Sequence, residues 1–188
     1  MGIQGLLSVL KPVITTAHIN DLRGKKVAVD AYAWLHKSVY SCCEEICRNN
    51  ENNTVTDGIW INYCLSLVDM LLFHDMKVTL VFDGDNLPAK KETEKDRLNN
   101  RNENIKKAKE FSSKGDAKTA HSYYSRAVDI TPTLAAHFIR VIKNQRPQVV
   151  CIVAPYEADA QLSYLSTNGI VDVIISEDSD TIPYGCRF

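Results

Sequence analysis

Four short runs of apolar, mostly β-branched residues recur along the chain. Each run contains almost no polar side chain, and together they occupy residues 27–29, 78–82, 149–153 and 173–175. Continuous apolar runs of this length are typical of strands that are buried on both faces of a parallel sheet. The pattern therefore predicts a four-stranded, mainly parallel central sheet.

The segments between these runs have the spacing of amphipathic helices. Apolar side chains recur every three to four residues from Ala31 to Ile46 and again from Trp60 to Leu71. The resulting order is a strand, two helices, a strand, a long helical insert, a strand, a helix and a strand. This alternation predicts an α/β fold with right-handed crossovers, in which helices flank the sheet.

The helical insert from Pro88 to about Lys114 has strong helix formers but almost no apolar stripe. Its few apolar side chains, among them Leu98 and Phe111, are scattered among charged and amide residues. A helix that is polar on all sides is not held by a core. We therefore expect it to project from the domain or to become ordered only when a charged partner binds.

Composition excludes several classes of protein. The 188 residues are 45% hydrophobic and 24% charged, and no apolar stretch reaches the 18 residues of a membrane span. The N-terminus lacks a basic-then-apolar signal segment. Six cysteines occur without a C-x-x-C pair, which leaves neither zinc spacing nor a disulfide framework. We expect a soluble, intracellular protein with a single domain.

The net charge of -1 conceals an uneven distribution. Residues 90–126 hold 11 basic and 6 acidic groups, whereas the segments on both sides are acidic overall. Such a layout suits a protein that gathers metal cations in one place and a polyanion next to it. A solvated charged helix explains the charge pattern equally well.

Carboxylates follow every predicted strand. In a parallel sheet, the C-terminal ends of the strands lie along one edge, where open α/β folds bind their ligands. Like charges held together repel one another, and a bound divalent cation removes that conflict. Oxygen ligands without His or Cys favour Mg²⁺ or Mn²⁺ over zinc. The expected metal ligands are Asp30, Asp83, Glu157, Asp159, Asp178 and Asp180.

Each of these acids also has an ordinary structural explanation. Asp30 or Asp83 could cap a helix, Asp159 could interact with a helix dipole, and Asp178 with Asp180 could stabilise a turn. The sequence Asp178-Ser179-Asp180-Thr181 after a strand also matches the signature of haloacid dehalogenase phosphatases. That class carries its other catalytic groups downstream, where only Pro183 to Phe188 follow, so we do not favour it.

Two further pairs of residues could contact a nucleic acid. Lys90 and Arg97 are seven residues apart, which places them on one face of a helix, and they could clamp a scissile phosphodiester. Tyr32 and His36, four residues apart after Asp30, could stack on an unpaired base. Both pairs could equally be ordinary surface side chains.

Taken together, the motifs resemble those of the flap endonuclease superfamily, the eukaryotic 5′ structure-specific nucleases with a PIN-like domain. The resemblance covers essentially the whole chain. The matching segments are residues 1–7 (MGIQGLL), 27–37 (VAVDAYAWLHK), 81–84 (VFDG), 87–91 (LPAKK), 154–162 (APYEADAQL) and 177–180 (EDSD).

The resemblance implies a PIN-like nuclease domain over residues 1–188. Its parts are an N-terminal nuclease part (1–89), a helical arch (88–130) and an internal nuclease part (131–188). The implied activity is magnesium-dependent 5′ to 3′ exonuclease and 5′ flap endonuclease cleavage by two metal ions, acting in mismatch repair and end resection. Implied partners are DNA with 5′ ends, nicks, gaps or flaps, and mismatch-repair proteins. A monomer in the nucleus is expected.

The resemblance also assigns roles to individual residues. The six carboxylates match the family's metal ligands, and Lys90 and Arg97 match the cations that steer the scissile phosphate. Gly2 is expected near the active site, and His36 matches a stacking position beside Tyr32. The family carries one more metal-side aspartate and a helix-two-turn-helix, so we expect a C-terminally truncated fragment. An inactive DNA-binding or partner-binding fragment is the alternative.

Overall fold

The computed structural model describes residues 3–52 and 54–186. Within them, four strands form one sheet in the order β3-β2-β1-β4, and every neighbouring pair is parallel. Val27 lies opposite Val78 on one side and Val173 on the other. The predicted parallel sheet is therefore confirmed. The strands are β1 (Lys26–Asp30), β2 (Lys77–Phe82), β3 (Val150–Val153) and β4 (Val173–Ile175).

Helices connect the strands in the predicted alternation. None of the helices formed by the described residues is long and apolar enough to cross a membrane. The helices are α1 (Leu6–Leu10), α2 (Ala31–Ser38), α3 (Cys43–Glu51), α4 (Ile59–Phe73), α5 (Lys91–Ser113), α6 (Ala117–Ala127), α7 (Pro132–Gln145) and α8 (Ala158–Thr167), and 3₁₀ turns lie at Lys11–Val13, Ile19–Leu22, Tyr40–Cys42, Pro88–Lys90 and Ser179–Thr181.

The first predicted helix, from Ala31 to Ile46, is divided into two. The helix α2 ends at Ser38, a 3₁₀ turn follows, and α3 begins at Cys43. The Ser38 hydroxyl donates a hydrogen bond to the carbonyl of Leu35 at 2.7 Å. Such back-bonding by serine bends helices, which gives a physical reason for the interruption. The apolar spacing continues across it and does not reveal it.

The chain divides into two compact units. The first comprises the described parts of Met1–Ala33, Leu65–Asp85 and Ile139–Phe188, and the second comprises those of Trp34–Cys64 and Asn86–Phe138. The first unit contains the whole sheet. The second contains α3, α5 and α6.

One apolar cluster of the first unit lies between the sheet and α8. The helix buries Ala158, Leu162 and Leu165 against apolar side chains of three strands. Those strand residues include Ala28 of β1, which is fully inaccessible to solvent. Because α8 begins just after β3, this packing fixes the start of α8 at the C-terminal edge of the sheet.

The second unit has its own apolar cluster, which corrects the expectation of a helix without a core. Ala108 of α5 is completely buried, and it packs in a cluster with Cys47 of α3 and Tyr124 of α6. The ring of Phe111 stacks on that of Tyr123 with centroids 5.5 Å apart. The C-terminal half of α5 is thus held by the contacts of Ile105, Ala108 and Phe111 within this cluster.

Candidate metal centre

The six predicted carboxylates all lie in the first unit, and each follows a strand. Asp30 is the last residue of β1, and Asp83 directly follows the adjacent strand β2. Two more acids follow β3 and two follow β4, the other neighbour of β1. All are half-buried: Asp30, Asp83, Glu157, Asp159, Asp178 and Asp180.

Backbone hydrogen bonds hold three of these carboxylates. The Oδ1 atom of Asp30 accepts from the N–H groups of Tyr32 and Ala33 at 3.0 and 3.3 Å, at the start of α2. The Oδ1 atom of Asp178 accepts from the N–H of Asp180 at 3.0 Å and begins a 3₁₀ turn.

Asp83 caps a helix that is distant in sequence. Its Oδ1 atom accepts from the N–H of Ala158, the first residue of α8, at 2.7 Å. The structural explanation by caps and turns is thus observed. It does not oppose a metal role, because each of these bonds uses a single oxygen of a carboxylate that has two.

Gly84 brings the loop after β2 against the loop after β3. Its N–H donates to the carbonyl of Tyr156 at 2.6 Å, and the N–H of Asp85 donates to the carbonyl of Pro155 at 3.1 Å. A Cβ atom on residue 84 would overlap the carbonyl oxygen of Ala154. Only glycine permits this approach, which sets Asp83 beside the segment that carries Glu157.

Two of these carboxyl groups, Asp30 and Asp159, have raised pKa values. Burial raises the pKa of Asp159 to about 7, and the negative charges of Asp30 and Asp178 add to the increase. Burial also raises the pKa of Asp30 to about 6, with a contribution from Asp83, although backbone hydrogen bonds act in the opposite direction. The acids are therefore close enough for their charges to interact.

A cation would relieve two features of this cluster. The Oδ1 atom of Asp180 is buried and has no hydrogen-bond partner among the described residues. The mutual repulsion of the acids is the second feature, and their oxygen donors suit Mg²⁺ or Mn²⁺. As placed, however, no three His, Cys, Asp or Glu side chains in residues 3–52 and 54–186 form a group that could hold a metal ion. Ligation therefore requires the side chains to move closer together.

The predicted DNA-contacting residues lie in different parts of the structure. Tyr32 is half-buried and His36 is exposed, and both lie on α2. Lys90, in the 3₁₀ turn before α5, and Arg97, on α5, are exposed and belong to the second unit.

Gly2 lies outside the described residues. The next residue, Ile3, donates its N–H to the Ser179 hydroxyl at 3.0 Å. Ser179 stands between Asp178 and Asp180, so the chain close to its N-terminus contacts the turn that carries two of the acids.

Sequence reasoning missed three residues that contact or adjoin predicted site residues. They are Gly84, Ser179 and Glu94. The Oε1 atom of Glu94 lies 2.6 Å from Nη1 of Arg97. Glu94 precedes Arg97 by three residues, a spacing that places two side chains together on any helix and could have indicated the pair. The contacts of Gly84 and Ser179 join segments far apart in sequence and leave no local signal.

Comparison with known families gives two matches. The model of the XPG N-terminal domain matches residues 1–104, and that of the XPG I-region matches residues 148–188. Exonuclease 1 of Oryza sativa subsp. japonica is 46% identical over 186 residues, which cover 99% of this chain and 21% of the relative. Exonuclease 1 of Danio rerio is 42% identical, and the match covers 100% of this chain and 22% of the relative. The chain thus spans about a fifth of the length of these relatives.

Solved structures with lower sequence identity share the fold. The catalytic core of Rad2 in complex with a DNA substrate superposes with a TM-score of 0.63 at 21% identity, covering 98% of this chain and 48% of Rad2. The flap endonuclease-1 of Methanococcus jannaschii gives a TM-score of 0.56 at 20% identity, and the match covers 92% of this chain and 54% of the flap endonuclease. The predicted PIN-like fold is confirmed by these neighbours.

Proposed function

Since the chain belongs to the family of nucleases defined by the XPG N-terminal domain and I-region, we propose that it hydrolyses phosphodiester bonds near the 5′ ends of DNA. The proposed reactions are 5′ to 3′ exonuclease digestion and 5′ flap cleavage. The name of the relatives, exonuclease 1, supports the first, and the fold shared with a flap endonuclease is consistent with the second.

The metal ligands in this proposal are the six strand-end carboxylates, defined above as Asp30, Asp83, Glu157, Asp159, Asp178 and Asp180. They would hold two Mg²⁺ ions, with Mn²⁺ as a substitute. Bound ions of this kind lower the pKa of a water molecule and neutralise the charge that develops on the leaving oxygen.

The protein's own contribution begins with the placement of its acids at the strand ends. Hydrogen bonds to the backbone hold Asp30, Asp83 and Asp178 there, and metal ligation then requires only that the side chains move closer together. The raised pKa of Asp159, about 7, means that this carboxyl is partly protonated at neutral pH. A cation that binds there would release protons.

Four other residues are proposed to contact the DNA. Lys90 and Arg97 supply positive charge to the scissile phosphate, and Tyr32 with His36 stack on a base. Gly2 is proposed to lie near the reacting phosphate. These roles rest on the family resemblance and on the positive charge of residues 90–126.

The cellular setting belongs to the proposal as well. By resemblance, the protein acts as a monomer in the nucleus, in mismatch repair and DNA end resection, on nicks, gaps, flaps and 5′ ends, together with mismatch-repair proteins. The segment of residues 88–130 is proposed to serve as the helical arch, and residues 1–89 and 131–188 as the nuclease parts.

The observation that carries the proposal is the convergence of half-buried acids whose charges interact at one edge of a parallel sheet. Its test is the Mg²⁺-dependent release of nucleotides from a 5′-labelled nicked duplex by the wild-type chain and by Asp180→Asn. We expect release by the wild type only. Isothermal titration with Mn²⁺ should show uptake with proton release, detected by comparing buffers of different ionisation enthalpy. Absence of both metal uptake and cleavage in the folded protein would contradict the proposal.

A second candidate is a catalytically inactive fragment that binds DNA or a protein partner. The observation in its favour is the positive charge of residues 90–126, which suits the binding of a polyanion whether or not cleavage follows. Under this alternative, the folded chain binds the nicked duplex but releases no nucleotide with either Mg²⁺ or Mn²⁺.

A further inference from the structure

Glu94 is close to two arginines that follow it on α5. Its Oε1 atom is 2.6 Å from Nη1 of Arg97, and its Oε2 atom is 4.0 Å from Nη2 of Arg101. The first distance is a charge-assisted hydrogen bond, whereas the second is too long for one. The carboxylate therefore neutralises Arg97 and has a second cation just out of reach.

Arg101 has an unused hydrogen-bond donor. Its Nη1 forms an ion pair with Asp129, in the segment between α6 and α7. Its Nε is buried and has no hydrogen-bond partner among the described residues. A buried N–H group without a partner is costly, so the Arg101 guanidinium has donor capacity left for a second carboxylate.

We propose that Glu94 is a positioning residue that masks Arg97 in the free protein and transfers to Arg101 when a DNA phosphate takes its place. This inference rests on the proposed function, in which Arg97 contacts the scissile phosphate. It adds a residue to which the family resemblance assigns no role, and it explains how an exposed cation is kept in a defined orientation before DNA arrives.

The exchange needs little driving force. The Arg97 side chain is 53% exposed, and ion pairs at such positions contribute little to stability. An incoming phosphate carries the same charge as Glu94 and repels it, while Arg101 lies 4.0 Å from the other carboxylate oxygen. The pair to Asp129 keeps Arg101 in place to receive it.

The test compares Glu94→Gln with Glu92→Gln. Both remove one negative charge from the first turn of α5, but no ion pair is formed by Glu92 within the described part of the chain. Fluorescence anisotropy with a labelled nicked duplex, without divalent metal, measures the affinity over a range of salt concentrations. We expect Glu94→Gln to bind roughly two- to fivefold more tightly than the wild type. The slope of log affinity against log salt concentration should be steeper by about 0.9, because one more phosphate contact releases further counterions.

A mutant cycle assigns the effect to Arg97. In an Arg97→Gln background, Glu94→Gln should change neither the affinity nor the salt dependence. With Mg²⁺, Glu94→Gln should lower KM and leave kcat unchanged, which a merely structural role would not produce. Arg101→Lys keeps the positive charge but lacks the Nε donor, and it should raise KM roughly two- to fivefold by leaving Arg97 masked.

The outcomes separate this inference from the proposed function. An equal gain in affinity for Glu94→Gln and Glu92→Gln, or a gain that persists without Arg97, overturns the masking role alone. If Arg97→Gln changes neither affinity nor cleavage, the role given to Arg97 in the proposed function fails first. Should Glu94→Gln not fold, as judged by circular dichroism, Glu94→Asp keeps the charge with a shorter reach and must show a smaller gain of the same sign.

Discussion

The side chain of Asp83 caps the N-terminus of a helix that starts 75 residues further along the chain, because its Oδ1 atom accepts a hydrogen bond from the N–H of Ala158 at 2.7 Å. The bond joins the end of β2 to the start of α8 and so fixes two sides of the candidate metal centre. It also gives one acid two separable tasks, since capping requires an acceptor oxygen and metal binding requires a negative charge.

The two tasks of Asp83 can be separated by two substitutions. Asp83→Asn keeps an acceptor for the N–H of Ala158, and its free energy of unfolding should stay within about 0.5 kcal/mol of the wild type. Asp83→Ala loses the cap and should be less stable by about 1 kcal/mol. Both should lose the rise in melting temperature that Mn²⁺ gives the wild type, measured by scanning calorimetry. A wild-type response of Asp83→Asn to Mn²⁺ would show that this acid does not bind the metal.

Gly84 should tolerate no side chain. Because a Cβ atom would overlap the carbonyl oxygen of Ala154, Gly84→Ala must push the loops after β2 and β3 apart. We expect a loss of about 3 kcal/mol or more in urea unfolding, together with weaker Mn²⁺ binding. The matched control is Gly58→Ala, where the nearest atom to a Cβ is a side-chain carbon of Trp60 at 3.3 Å, and its loss should be smaller. Equal losses for the two variants would contradict the close approach.

The raised pKa values predict how stability changes with pH in the absence of metal. The pKa of Asp159 is about 7 in the folded chain, mainly because of burial, and that of Asp30 is about 6. Over the range between the ordinary value of 3.8 and about 7, the folded state therefore binds more protons than the unfolded state. Its free energy of unfolding should fall as the pH rises through this range.

Urea unfolding in EDTA at several pH values measures this trend. Asp159→Asn cannot ionise, so its stability relative to the wild type should grow from about pH 4 to about pH 7. Asp69→Asn is the control of opposite sign, because hydrogen bonding to Arg146 lowers the pKa of Asp69. The free energy of unfolding of Asp69→Asn should lie below that of the wild type by a constant amount at neutral pH. This difference should shrink only in acid. A constant difference between Asp159→Asn and the wild type would refute the raised pKa of Asp159.

The sheet could be predicted from the sequence because its strands are nearly continuous apolar runs, although the edge strand β3 exposes Val150 and Val153. Runs such as residues 78–82 are apolar except for Thr79, and the observed strand Lys77–Phe82 begins only one residue earlier. The interruption between α2 and α3 could not be predicted, since it depends on one Ser38 hydrogen bond inside an unbroken apolar pattern. A single side-chain hydrogen bond of this kind does not alter the spacing of apolar residues along the sequence.

The candidate site was predictable to the extent that topology determines it. Parallel strands place the residues after β1 and β2 at one edge, so the positions of Asp30 and Asp83 follow from the strand assignment. The backbone bonds of these acids depend on loop conformations that apolar spacing does not specify. The masking of Arg97 by Glu94 was missed for another reason, because acid and base pairs three residues apart are common on polar helices.

The packing of α5 predicts that its two halves differ in hydrogen exchange without DNA. Ala108 is the one buried residue of this helix, and with Ile105 and Phe111 it packs against the cluster shared with α6. Mass spectrometry should therefore find slow exchange over residues 105–111 and faster exchange over residues 92–98, where no side chain is buried.

Ala108→Glu tests the cause of this difference. The variant buries a charge at the helix contact, so exchange should become fast in both α5 and α6 while the sheet stays protected. Asn102→Glu adds the same charge at an exposed position of α5 and should leave the pattern unchanged. Uniformly fast exchange in the wild-type helix would instead favour the expectation drawn from the sequence, that α5 has no core contact until a charged partner binds.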